Sequence, residues 1–336
     1  MKTPEWEMVN GDCCEELAKF DADSIRYSVF SPPFASLYTY TNSERDMGNC
    51  KGADEFFKHF DFLIPELFRV LMPGRNLSFH CMNLPTSKER DGVIGLRDFR
   101  GGLIAAFVKH GFIFHSEVCI WKDPVTAMQR TKALGLLNKQ KNKDSCMSRQ
   151  GIPDYLVTMR KPGINPEPVT HTDETFTIPR WQQYASPVWA TLSAGEGGFL
   201  NAEAPNKDNP DKTGIDAGNT LQKMKEKDDE RHICPLQLQV IERAVALWSN
   251  PGDTVLSPFA GIGSEGYQSI LQGRKFIGIE LKTAYYKQAC INLGRAVEKS
   301  KASSKDLFHE TSEPETVVEP KPKSAKRRAL AGAGAI

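Results

Sequence analysis

The sequence predicts an α/β protein built on one sheet, with an irregular insertion between its two halves. Short apolar runs alternate with amphipathic stretches over residues 5–121, and the same alternation returns at 233–297. Residues 161–231 between them are rich in Pro, Asn, Gly and charge and show no such period. Both ends of the chain are therefore expected to contribute to a single sheet.

The elements follow in order. "WEMVNGD" reads as a strand entering a turn, followed by a helix from Cys13 to Phe20. "RYSVF" is the next strand, within the run Ile25 to Phe30. A helix is expected over Ala53 to Met72, because Phe56, Phe57, Phe60, Leu63, Ile64, Leu67 and Leu71 fall near helical spacing. Pro65 would kink it, and Pro73-Gly74 would stop it. "NLSFHCM" is a third strand, Leu96 to His110 a helix, and "FIFHSEVCIW" a fourth strand, with a further strand returning near 153–163. The second half reads helix, strand "DTVLSPF", glycine-rich turn, helix, strand "KFIGIEL", helix. The tail from about Ala302 is rich in Pro, Lys and Glu, contains "KPKSAKRR", and is expected to be disordered.

Composition narrows the class. With 40% hydrophobic and 25% charged residues, the 336-residue chain reads as an ordinary globular protein with a full core. The net charge of +1 means that any nucleic-acid surface must come from local clustering. Such a cluster exists: residues 122–150 hold Lys122, Arg130, Lys132, Lys139, Lys141, Lys143 and Arg149 against only Asp123 and Asp144. It would neutralise phosphates, or it is a solvated loop. No apolar run is long enough to span a membrane, and "MKTPEWEMV" lacks a signal-peptide core. Eight scattered cysteines without a C-x-x-C suit reduced thiols, with no disulfide framework and no zinc site, so a cytoplasmic location is expected. His232 and Cys234 have no further ligands at metal spacing.

Two motifs carry chemistry. In "VLSPFAGIGSEG" a strand runs through a glycine turn into a helix, where a ligand can approach the backbone beside a helix N-terminus. Glu280 ends the next strand, placed to accept hydrogen bonds from ribose hydroxyls. Gly261, Gly263 and Gly266 also spell G-x-G-x-x-G, so the turn alone leaves a dinucleotide site open, and no Walker lysine is present. The second motif is Ser31-Pro32-Pro33-Phe34, where paired prolines hold a serine and an aromatic ring on a stiff extended turn at a strand's end. A conjugated exocyclic amine on cytosine or adenine is a poor nucleophile. The Ser31 hydroxyl and Pro32 carbonyl could grip its N–H bonds and draw the nitrogen toward tetrahedral geometry, while Phe34 stacks on the base. The bland alternative is a Pro-Pro turn with a core phenylalanine.

Together these motifs resemble the β-class of DNA amino-methyltransferases, over about residues 5–121, 153–163 and 232–297. The resemblance implies a Rossmann-like, S-adenosylmethionine-dependent methyltransferase fold in circularly permuted motif order, with the catalytic loop before the cofactor loop. It assigns "SPPF" to the catalytic loop and Asp12 of "NGDCCEEL" to the neighbourhood of the target base. It places His232 and Pro235 of "HICPLQLQVIERAVALW" beside the methionine moiety of the cofactor, and Ser257, Phe259, Gly261 and Gly263 in the cofactor loop, with Glu280 on the ribose. Two residues depart from the pattern: Ser257 stands where aspartate is usual, and Ser31 is the variant associated mainly with N4-cytosine methylation. Cys234 precedes Pro235 rather than following a proline, which argues against carbon-5 chemistry through a cysteine nucleophile.

The reading is an enzyme that methylates the exocyclic amine of a base flipped out of double-stranded DNA, N4 of cytosine ahead of N6 of adenine. Its alternatives are an RNA or protein-amide methyltransferase and a non-catalytic DNA-binding relative. Lys132, Lys139, Lys141, Lys143 and Arg149 are expected to contact DNA, and residues 164–231 to read bases. A homodimer is compatible with this reading, and no membrane partner or metal is expected. The expected divisions are 1–121 as the catalytic half, 122–231 as the insertion, 232–300 as the cofactor half, and 301–336 as the tail.

Overall fold

A computed structural model describes residues 1–34, 45–50, 52–122, 134–189 and 236–310, with residues 134 and 303–310 as backbone only. His232, Pro235 and Lys132 therefore lie outside the described residues, as do most of 164–231 and the "KPKSAKRR" tail. The chain divides into two compact units, Met1–Ser300 and Lys301–Ile336.

Ten strands are described: β1 (Trp6–Asn10), β2 (Tyr27–Phe30), β3 (Asn76–Met82), β4 (Leu84–Pro85), β5 (Leu96–Arg97), β6 (Ile113–Ile120), β7 (Asp154–Arg160), β8 (Val188–Trp189), β9 (Thr254–Ser257) and β10 (Lys275–Glu280). The helices are α1 (Cys13–Leu17), α2 (Ala53–Val70), α3 (Lys88–Asp91), α4 (Phe99–Lys109), α5 (Gln140–Lys143), α6 (Ile178–Tyr184), α7 (Leu238–Trp248), α8 (Ser264–Leu271) and α9 (Thr283–Glu310). Eight strands form one sheet in the order β1-β10-β9-β2-β3-β7-β6-β8, and β4 pairs with β5 as a separate ribbon. From β1 to β3 all neighbours are parallel, while β7 runs antiparallel to both β3 and β6.

Alternation along the strands sends side chains to two cores. Phe30, Leu77, Phe79 and Leu256 pack on one face with Phe56, Phe60, Leu67 of α2 and Leu103, Phe107 of α4. Tyr27, Val29, Val255 and Phe276 pack on the other with Val240 and Ile241 of α7 and Tyr267 and Ile270 of α8. Residue 65 is a proline inside α2, whose apolar stripe nonetheless stays buried at Leu63, Ile64, Leu67 and Val70. The expected helix over Leu96 to His110 begins later, because the Asp98 carboxylate accepts the Gly101 N–H at 2.9 Å and caps α4, leaving Leu96 and Arg97 in β5.

The connection β2–α2–β3 lies on one face and β9–α8–β10 on the other, running in opposite directions from the adjacent strands β2 and β9. A crevice must open where two neighbouring parallel strands part in this way, outside their carboxyl ends. The two sequence motifs occupy that point. The Ser31 loop follows β2 directly, and the glycine turn follows β9. No helix among the described residues is long and apolar enough to cross a membrane.

Candidate active site

The two loops open into one cleft of about 1000 Å³, counted out into open solvent, lined by Ser31 and Pro33 of one loop, by Phe259 and Gly261 of the other, and by Glu280 and Asp12. Asp12 also caps α1, its Oδ1 accepting the Cys14 N–H at 2.8 Å.

On the glycine side, each motif glycine has its own reason. Gly261 adopts φ +51° and donates its N–H to Glu280 Oε2 at 2.8 Å; a Cβ there would meet nothing within 4 Å and would project into the cleft. Gly263 adopts φ +85° just before α8 and faces Ala289 rather than the cleft, where a Cβ would lie 3.2 Å from the Ala289 Cβ. Gly266 lets α8 lie against the sheet, since a Cβ would come within 2.4 Å of the Phe276 ring. Ser257 is fully buried and does not line the cleft; its hydroxyl has no hydrogen-bond partner among the described residues.

Glu280 clasps two segments, taking the Gly261 N–H on Oε2 and the Lys282 N–H on Oε1, both at 2.8 Å. Burial pushes its carboxyl up to about 7 in spite of these donors, and Asp46 nearby adds to the shift. Glu265, in the first turn of α8, is a second acid on the cleft wall, at a position the glycine pattern leaves unspecified. It is 4% exposed, and burial with Glu280 beside it pushes it up to about 8.

On the catalytic side, Ser31 Oγ lies 3.1 Å from His80 Nδ1. His80 Nε2 lies 2.7 Å from Asp154 Oδ2, which also pairs with Lys122 Nζ at 2.5 Å. Asp154 is buried, which alone would raise its carboxyl, but the Lys122 and His80 partners hold it below the usual range. Phe34 is half-buried, its ring 5.8 Å from the His80 ring and 6.3 Å from Phe99, edge-on to the latter. No sequence motif marks His80 or Asp154, and Lys122, which the sequence groups with the basic cluster, is turned inward to Asp154 while Lys139, Lys141 and Lys143 are exposed.

The ligand atoms of Asp12, Cys13 and Cys14 lie within 4.8 Å of one another. The neighbouring Cys14 and burial hold the Cys13 thiol well above its usual range. Lys139, Lys141 and Lys143 are exposed around α5. Arg149 is half-buried, donates to the Gly95 carbonyl at 2.9 Å and lies against Gly135, so it shapes the loop rather than standing free.

A family model described as DNA methylase, covering the N6- and N4-methyltransferases, matches residues 25–290. The chain belongs to the N6/N4 DNA methylase family. Among curated methylases, 58 residues are 45% identical to the DNA adenine methyltransferase YhdJ of Escherichia coli, covering 17% of this chain and 20% of that protein. The type II methyltransferase M.BamHI of Bacillus amyloliquefaciens is 23% identical over 280 residues, covering 82% of this chain and 54% of that one. The match thus spans a fifth of the first curated methylase and about half of the second. The Thermus thermophilus protein TTHA0409, solved complexed with S-adenosyl-L-methionine, is 22% identical with a TM-score of 0.59, covering 87% of this chain and 94% of that chain. The cytosine-N4-specific PvuII DNA methyltransferase is 17% identical with a TM-score of 0.57, covering 92% and 94%. At these identities the two solved structures share the methylase fold with this chain.

Proposed function

We propose that this chain transfers a methyl group from S-adenosylmethionine to the exocyclic amine of a base flipped out of double-stranded DNA, N4 of cytosine in preference to N6 of adenine. The observation that carries this reading is the single cleft shared by the Ser31 loop and the Gly261–Glu280 clasp. The residues fit the cofactor. Gly261 leaves open space where any side chain would intrude, and each Glu280 oxygen accepts one backbone N–H, so lone pairs remain for ribose hydroxyls.

S-adenosylmethionine supplies an electrophilic methyl group on a sulfonium. The protein's part is to present the amine. The Ser31 hydroxyl and the Pro32 carbonyl accept its two N–H bonds, which turns the nitrogen lone pair toward the methyl carbon. Phe34 offers its ring to the base, and the proline pair fixes all three groups. Lys139, Lys141 and Lys143 supply the exposed charge for phosphates. The preference for cytosine rests on the serine form of the catalytic loop. The adenine reading draws on the 45% identical stretch shared with an adenine methyltransferase.

Incubating the protein with double-stranded DNA and labelled cofactor, then digesting the DNA to nucleosides for mass spectrometry, tests both levels. N4-methylcytosine is expected. N6-methyladenine alone would overturn the base assignment, and absence of label from DNA would overturn the reading.

A further inference from the structure

We propose that His80 and Asp154 are positioning residues that fix the direction of the Ser31 hydroxyl, so that it can only accept hydrogen bonds from the target amine; this rests on the methyl-transfer reading above. The geometry comes from four neighbouring strands. Ser31 follows β2 and His80 lies on β3, each one residue past the paired Phe30 and Phe79. Asp154 opens β7 opposite Met82, diagonal to His80 on the same antiparallel pair, and Lys122 follows β6. A continuous chain of contacts thus runs Ser31, His80, Asp154, Lys122 across the sheet order β2-β3-β7-β6.

The direction of each bond follows from the donor inventory. An ionised carboxylate only accepts, so the 2.7 Å contact requires the proton on His80 Nε2. In a neutral imidazole Nδ1 is then bare, and the 3.1 Å contact requires the Ser31 O–H to donate. The hydroxyl has one proton, which is committed inward, and its two lone pairs are left to accept hydrogen bonds from the cleft side. In the opposite tautomer Nδ1–H would donate to Ser31, and the freed O–H would point at the amine as a rival donor, capping the lone pair that must react.

The surroundings hold this choice in place. Asp154 Oδ1 is buried and accepts no hydrogen bond among the described residues, so the carboxylate is balanced through Oδ2 alone, by His80 and Lys122. The Phe34 ring packs beside the imidazole and limits its rotation. Serine carries no charge, and the chain supplies one at two hydrogen bonds' remove.

The test has a spectroscopic arm and a kinetic arm. Nitrogen-15 shifts of the histidines in cofactor-free wild-type protein, with His80 assigned by its absence from H80N, should show Nε2 protonated and Nδ1 bare. Asp154→Asn should shift His80 toward the Nδ1–H form. In single turnovers D154N should slow methyl transfer at least tenfold, with cofactor and DNA dissociation constants unchanged. Added to Ser31→Ala it should cost nothing further, because there is no hydroxyl left to direct. Nδ1 protonated in the wild type, wild-type transfer rates in D154N, or the same loss in both backgrounds would overturn the proposal. If wild-type protein methylated no DNA, the functional reading would fall while the tautomer measurement still decided the geometry.

Discussion

Gly261 separates ligand space from backbone strain, and replacing it measures both. At φ +51° an L-residue costs about 1–2 kcal/mol, so Gly261→Ala and Gly261→Val should each lower the stability of the cofactor-free protein by roughly that amount. No neighbour lies within 4 Å of the new Cβ, so the alanine methyl adds no packing penalty. The side chain instead projects into the cleft where the cofactor is proposed to lie. Loss of S-adenosylmethionine affinity should therefore be more than tenfold for Val, about 1.4 kcal/mol or more, and smaller for Ala. Gly263→Ala is the control: its φ of +85° and the 3.2 Å approach to Ala289 lower stability, yet it faces away from the cleft. Denaturant unfolding gives the first quantity and calorimetric titration with cofactor the second. Wild-type affinity in Gly261→Val, or equal affinity losses in Gly261→Ala and Gly263→Ala, would refute the assignment.

Glu265 and Glu280 are held up to about 8 and about 7, above the ordinary 4.5, so the folded cofactor-free protein keeps protons that the unfolded chain releases. Stability should then fall as pH rises from about 4.5 to about 8, by up to about 1.4 kcal/mol per pH unit for each group; Glu265→Gln should make the fall between pH 5.5 and 7 shallower in denaturant melts, and an unchanged slope would exclude the effect. His115, whose pKa burial lowers, acts in the opposite sense, which is why the comparison is between wild type and variant. Replacing Lys139, Lys141 and Lys143 together with Ala should weaken binding to every DNA sequence and flatten the salt slope by about 0.9 per lost phosphate contact. A slope equal to wild type would make them solvated surface only. Phe34→Ala should weaken binding of DNA with an extruded target base by about 1–3 kcal/mol while leaving cofactor affinity intact, and undiminished DNA binding would remove the ring from base recognition.

The parts of the site that are contiguous in sequence were legible, because local chemistry dictates them. The strand, turn and helix around Gly261 follow from glycine's access to positive φ, and the stiffness of Pro32-Pro33 needs no tertiary context. The cleft between them depends on β2 and β9 being neighbours whose connections diverge, a strand order that alternation does not give. The relay behind Ser31 was not legible. His80 and Asp154 are 74 residues apart and meet through the antiparallel register of β3 and β7, which no local spacing encodes. A histidine inside the strand "NLSFHCM" was the one visible sign. Lys122 reads as phosphate-seeking beside its basic neighbours, and only the buried Asp154 turns it inward. Glu265 became a cleft residue through the packing of α8 against β10, where Gly266 admits Phe276.

The edge of the sheet nearest the cofactor side sets an order of events during synthesis. Strand β1 pairs with β10, and the Asn10 side chain donates to the Glu280 carbonyl 270 residues later. At about 5–20 residues per second, a ribosome needs on the order of 15–50 s to cover those 270 residues. For that interval β1 has no partner strand among the described residues, and its apolar Trp6 and Met8 await the α9 residues Tyr285 and Leu293 of their core. The clasp between Gly261 and Glu280 likewise closes only after residue 280 has emerged. A chain released before β9 would carry the whole Ser31 relay and no place to hold a methyl donor, so segments that emerge late decide whether the early ones can act.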